Sequence, residues 1–315
     1  MAKKIAKPVK PAPARKPREP MSPEVKAFIR KCVGHAVGAA VFAALVGTGF
    51  VASRRYVENN SRTDQPPKVV LADQPAWMSA TLAEQILQDV RPRTPFTATD
   101  HQMLVGRADI LEHNPWVKQV KAVRRIYREQ AGDTIEVDCV FRAPVALVHW
   151  LDDYWYVDAE GVRLPEKLSA DQVAYLLRPG ASPQLRVIDG VATARPPIAK
   201  PWPGGEVQAA IEIIALLSEK QYDEIIKIDV SNFNGRLNKN NSQLNLITRY
   251  GTEVRWGQPP SAKAFFNEQR VDRKLEYLSQ AKEQTGRVDM NMPWIDLRFD
   301  SPTVPDARGS AAVGR

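Results

Sequence analysis

The sequence predicts an α+β protein, with a single N-terminal transmembrane helix leading into an extramembrane body of mixed helices and sheets. Three observations carry this. Cys32 to Ser53 runs 22 residues without an Asp, Glu, Lys or Arg. At about 1.5 Å per helical residue it reaches roughly 33 Å, enough for a hydrocarbon core of about 30 Å. The net charge of +8 is confined to the residues before that stretch, and the chain beyond it shows both the helical and the two-residue apolar period.

The charge distribution decides more than its total. Residues 1–31 hold ten Lys or Arg against Glu19 and Glu24, which accounts for the whole excess; 34 bases then face 34 acids over the remainder. A nucleic-acid-binding body would carry the excess on its own folded surface, so the composition argues against that class. Basic residues beside an apolar span instead set topology: the tail is expected in the cytoplasm and residues 54–315 outside. Arg54, Arg55, Arg62 and Lys68 oppose that bias locally. A cleavable signal peptide is the rival reading, with Ala52 near a plausible cleavage point. The 31-residue basic region and the length of the apolar run favour an uncleaved anchor.

Residues 1–31 are expected to be a disordered basic tail, since Pro8, Pro11, Pro13, Pro17, Pro20 and Pro23 interleave with Lys and Arg and leave little to bury. Glu24 to Lys31 begins the helix, residues 32–53 span the membrane, and residues 54–67 form a linker. Within the span are six Ala and four Gly but only eight Val, Leu or Phe. Gly34, Gly38, Ala39 and Ala43 place small residues at the spacing that lets two helix backbones approach.

Past the linker, Ser79 to Val90 reads as a helix with Ser79 as N-cap and Leu82, Ile86, Leu87 and Val90 on one face. Arg91-Pro92 ends it. A second helix opens at Thr99 or Asp100 and runs to His113, with Met103, Leu104, Ile110 and Leu111 apolar, before Asn114-Pro115 stops it. Val117 to Tyr127 and Thr134 to Phe141 alternate around a turn at Gly132-Asp133 and predict a hairpin. The order suggests a small α+β domain with two helices against one sheet face. Strands follow at Val145–Leu151, Tyr154–Val157 and Gly161–Leu164. Residues 166–183 read as an insertion with a short helix at Asp171–Leu177, and Ala192–Gly205 as a Pro-rich loop. Val207 to Lys220 is a helix with Val207, Ile211, Ile214, Ala215 and Leu217 on one side. Strands at Ile225–Val230, Gln243–Arg249 and Glu253–Trp256 precede a helix at Val271–Glu283, anchored by Leu275 and Leu278. A terminal strand spans Trp294–Phe299, and residues 302–315 are expected to be a frayed tail.

No catalytic signature stands out: G-x-S-x-G, H-E-x-x-H, C-x-x-C and the phosphate-binding loop are all missing from the sequence. His149 near Asp152-Asp153 reads as a strand-end polar cluster. Asp158 and Glu160 sit in a turn that needs small polar residues and Gly161, which explains them without a glycosidase role. Cys32 and Cys139 are too far apart in the layout to bridge, and Cys139 alternates with strand apolars as a core residue. No cofactor or metal is expected.

Six stretches together resemble the FtsQ/DivIB cell-division proteins of bacteria. They are Asn114-Pro115-Trp116-Val117 with its hairpin; Phe141-Arg142-Ala143-Pro144-Val145-Ala146; Tyr156 to Val162; Ile228-Asp229-Val230-Ser231; Gly251 to Gly257, ending Trp-Gly; and Trp294-Ile295-Asp296-Leu297-Arg298-Phe299. Phe141 stands where the family carries Glu, residues 166–183 are longer than its usual connection, and Lys68 to Ala72 lacks a clear Val-x-Gly. The resemblance implies a POTRA-like domain over residues 68–144 and an FtsQ-type β domain over 145–301. It implies a non-catalytic scaffold in the cytoplasmic membrane, enriched at the division site, with FtsB/FtsL-like bitopic partners that serve septal peptidoglycan synthesis. Those partners would add a strand at the terminal edge, which assigns Trp294, Asp296, Arg298, Phe299 and Ser301 to the contact. By alternation Ile295, Leu297 and Phe299 would face the core and Trp294, Asp296 and Arg298 the other side. Two other classes stay open: another POTRA-bearing protein of export or envelope assembly, and an anchored cell-wall enzyme.

Overall fold

The first element is a long helix whose large apolar side chains are exposed. In the computed structural model, which describes residues 22–60, 66–93, 100–126, 134–181, 184–262 and 268–305, α1 runs over Pro23–Asn60, 38 residues. It is long and apolar enough to cross a membrane. Phe42, Leu45 and Phe50 are all more than 60% exposed, and the Thr48 hydroxyl is satisfied within the helix by donating to the Ala44 carbonyl at 2.8 Å. Pro23 sits where its missing N–H costs nothing, and Glu24 adds an acid to the first turn. The helix therefore starts nine residues before the apolar run and continues through Arg54–Asn60. Those seven residues are not linker: they contain neither Pro nor Gly, so nothing in them breaks the helix. Most of the basic tail, the turn at Gly132-Asp133 and the last ten residues lie outside the described residues.

The chain divides into two compact units at Arg62/Thr63. In the second, a three-stranded sheet comes first. Its elements are β1 (Lys68–Leu71), α2 (Ala80–Val90), α3 (His101–Glu112), β2 (Val117–Ile126) and β3 (Thr134–Phe141). The strand order is β1-β3-β2, with β1 parallel to β3 and β2 antiparallel to it. Parallel pairing of β1 and β3 requires the chain to cross over between them, and α2 and α3 lie in that crossover. Ser79 caps α2 by accepting from the Leu82 amide, and Asp100 caps α3 by accepting from the Met103 amide, both at 3.1 Å. Leu82, Ile86 and Val90 of α2, Leu111 of α3, and Val69, Ile135 and Val137 of the sheet form its core. Ile110 is exposed instead, since the apolar stripe of α3 is weak.

An eight-stranded mixed sheet follows. It comprises β4 (Ala146–Trp150), β5 (Asp153–Val157), β6 (Arg163–Leu168), β7 (Val187–Asp189), β8 (Ile225–Asp229), β9 (Leu244–Thr248), β10 (Glu253–Gly257) and β11 (Trp294–Asp296). The order is β11-β10-β9-β8-β7-β4-β5-β6. Helices α4 (Ala170–Leu176), α5 (Glu206–Glu219) and α6 (Val271–Thr285) complete it. The β6 strand runs on to Leu168, into what reads as an insertion from the sequence. β7 was not expected, because three residues, Val187-Ile188-Asp189, are too few to show a period. One face of the sheet, with Val148, Ile188, Ile228, Leu246, Val254 and Ile295, packs on α5 and α6. Ala215 of α5 is exposed, while Ala209, Ala210 and Ile213 are buried, so the helix buries a wider face than its sequence stripe suggests.

Two polar nodes fix the loops of this sheet. Glu206, 1% exposed, accepts from the amides of Ala192 and Thr193 (2.9 and 2.8 Å), from the Thr193 hydroxyl (2.7 Å) and from Arg236. Burial opposes its charge, but these donors hold its carboxyl below the usual range. Buried Arg186 donates to the carbonyls of Ile225 and Tyr222 and to the Ser218 hydroxyl, tying the end of α5 to β8. The two sheets meet through Leu164 of β6, which packs fully buried in the core of the smaller sheet. Beside it Arg142 pairs with Asp158 at 2.6 Å and with Glu160 at 3.1 Å, and Lys118 with Glu160 at 2.6 Å.

Candidate interaction surface at the terminal edge

The last strand of the large sheet is placed by a buried carboxylate. Gly286, at φ +75°, ends α6 in the left-handed conformation. Asp289, fully buried, then accepts from Arg287 (2.6 Å), from the hydroxyls of Thr248 and Thr252 (3.1 Å each) and from the Asn291 amide (3.0 Å). Its burial works against ionisation, and the Arg287 pair with the other donors holds the carboxyl below its usual range. The turn so fixed puts Met290 and Asn291 at positive φ (49° and 59°) and delivers β11 to the side of β10. The pairing is parallel, Glu253 with Trp294 through Arg255 with Asp296.

Five residues were expected on this edge, and they part company. The strand stops at Asp296, so the alternation expected through Phe299 fails after Leu297. Ile295 and Leu297 are buried as expected. Phe299 is 49% exposed, not core, because the backbone has turned before it is reached. Asp296 is 3% exposed and committed: it accepts from the Arg298 amide (3.1 Å) and pairs with the Arg298 guanidinium at 2.9 and 2.7 Å. Arg298 also donates to the Asn240 carbonyl at 2.8 Å. Its pKa is raised by the Asp296 hydrogen bonds against a smaller effect of burial. Asp296 and Arg298 thus clasp the end of the strand to the neighbouring loop. Trp294, Phe299 and Ser301 remain accessible.

Sequence reasoning missed the residues that frame these three. The Arg255 guanidinium lies 4.6 Å from the Trp294 ring, a cation–π contact between adjacent strands. The two lie diagonally across the β10–β11 pair and 39 positions apart in the chain, which leaves no local signal. Between α6 and residues 297–302 runs a groove of about 200 Å³, bordered by Arg273, Tyr277, Leu297, Phe299 and Pro302. Its floor is held by Lys274, whose buried ammonium donates to the Trp256 carbonyl and pairs with Glu268 at 3.3 Å. Burial lowers the Lys274 pKa, with Glu268 opposing.

Elsewhere the polar groups also read as structure. His149 pairs with Asp189 (2.9 Å), not with Asp152-Asp153, and Lys227 approaches the same carboxylate at 2.9 Å. Asp158 accepts from the amides of Glu160 and Val162, closing its own turn. Among the described residues no group of three or more His, Cys, Asp or Glu could hold a metal. In α1, Gly34, Gly38, Ala39 and Ala43 are exposed, and a Cβ built on either glycine meets nothing within 4 Å in this chain.

No protein-family model matches the chain, and no curated protein is significantly similar to it.

Proposed function

We propose that the chain is a bitopic scaffold of the bacterial division complex, of the FtsQ/DivIB type, anchored by α1 and acting without catalysis. Its POTRA-like domain is the small sheet, and its β domain is the eight-stranded one. FtsB/FtsL-like partners dock at the terminal edge, where Trp294 and Phe299 serve as anchors. The observation that carries this reading is where the resemblance motifs fall. Asn114–Val117 leads into β2, Phe141–Ala146 joins the two sheets, Tyr156–Val162 runs through the turn that grips that junction, and Trp294–Phe299 starts with β11, the terminal edge strand. The β-α-α-β-β order of the small sheet supports the POTRA-like reading. An edge strand offers backbone donors and acceptors to an incoming chain, and bulky aromatics beside it supply contact area. A single apolar helix ahead of such a body suits a protein that works on one side of a membrane.

A fluorescent fusion to the N-terminus in the source organism tests the reading. Enrichment at the constricting septum is expected. Even distribution around the envelope through the cell cycle would overturn it.

A further inference from the structure

The outward side of β11 is already partly used by the chain itself. Inward, Pro293 accepts from the Glu253 amide and Leu297 donates to the Arg255 carbonyl, so Trp294 and Asp296 turn their backbone N–H and C=O away from β10. Those are the groups an added strand would engage. At Asp296 both are taken: its amide donates to the Thr303 carbonyl at 2.8 Å, and its carbonyl accepts from the Thr303 amide at 3.1 Å. The pair is an antiparallel bridge closed by the loop 297–302. Val304 packs against the core of the large sheet. Residues 302–305 are therefore placed and not frayed.

We infer that residues 302–305 are an intramolecular strap that stands in for a partner strand on β11, and that a partner's extended segment pairs with the whole edge only by displacing it. The inference rests on the edge reading proposed above and adds its regulation. Three features make the segment a removable cover. It bonds at one residue, Asp296, and leaves the Trp294 position open for an incoming strand to start. Its flanking residues Pro302 and Pro305 have no N–H, so the strap does not itself present a continuous edge to further chains. It is tethered through six residues, so it returns readily once the competitor leaves. A partner strand would remake the Asp296 bonds and add those at Trp294.

The test compares the full chain in nanodiscs with a truncation after Ser301 and with Thr303→Pro, which removes one bridge donor and keeps the length. The probe is the purified extracytoplasmic segment of the FtsB-like protein from the same organism. Truncation is expected to tighten binding about tenfold, the worth of roughly two net hydrogen bonds no longer in competition, and Thr303→Pro should move it the same way. Equal affinities for all three, or weaker binding on truncation, would overturn the strap while leaving the edge reading intact. Binding to none of them would sink the edge reading. Amide exchange then judges the strap alone: the Asp296 amide should lose protection on truncation while that of Leu297 keeps it, and an unchanged Asp296 rate would refute it.

Discussion

Leu164 belongs to the large sheet by its backbone and to the small sheet's core by its side chain, so Leu164→Ala tests whether the two behave as one body. The side chain is fully buried within β6, packed with the cluster that holds Trp116, Val117 and Phe141. Losing three carbons removes about 2.4 kcal/mol of transfer energy at about 0.8 kcal/mol per methylene. Trp116, in the turn that leads into β2, and Phe141, in β3, are large side chains held by their backbone and collapse poorly into the space, so a cavity contribution brings the total to about 3–4 kcal/mol. Urea unfolding of the full chain in detergent measures the total, and amide exchange of peptides from residues 117–126 and 146–157 locates it. Protection should fall in both sheets together. A loss below about 1 kcal/mol, or one confined to residues 146–157, would refute the claim that Leu164 couples them.

Acid should destabilise the large sheet. Glu206, Asp189 and Asp289 all have carboxyls below their usual range. The unfolded chain therefore binds more protons than the folded one in the window below about pH 4.5, and stability present above it is lost as the pH falls through the folded values. Glu206→Gln should lower stability at neutral pH and flatten that acid slope in urea midpoints; an unchanged slope would contradict the assignment. Cys139, whose thiol burial pushes up to about 11 from 9.0, should react with iodoacetamide at pH 8 about 100-fold more slowly than a free thiol, because only the thiolate attacks. Gly257→Ala should cost at least about 1–3 kcal/mol in thermal unfolding, since Gly257 holds φ +102° and a Cβ there would sit 2.2 Å from the Glu268 carboxylate.

What the sequence revealed follows the range of the interaction involved. The cap Ser79, the alternating pair β2 and β3, and α5 and α6 are local patterns, each legible from its own stretch of sequence, whereas the start of α3 was legible only to Thr99 or Asp100. The partner of His149 was not, because Asp189 lies on a strand 40 positions away and reaches it only through the parallel β4–β7 pairing. β7 itself is specified by its neighbours on both sides, not by its own three residues. The terminal site was half legible. Ile295 and Leu297 followed the two-residue period into the core, but no local feature announced that Asp296 would turn to Arg298 and end the strand. Without that turn Phe299 counts as core and Thr303 as tail. Their true positions, one exposed at a groove and one bridged to the edge, depend on the fold of the segment as a whole.

The claim that the terminal edge is the docking surface is met most directly by photocrosslinking in living cells. A photoreactive amino acid replaces Trp294 in one strain and Lys167, on the opposite edge strand β6 and exposed, in another. A crosslink to an FtsB-like bitopic division protein is expected from position 294 and none from position 167. Equal capture from both positions, or capture from 167 alone, would contradict it.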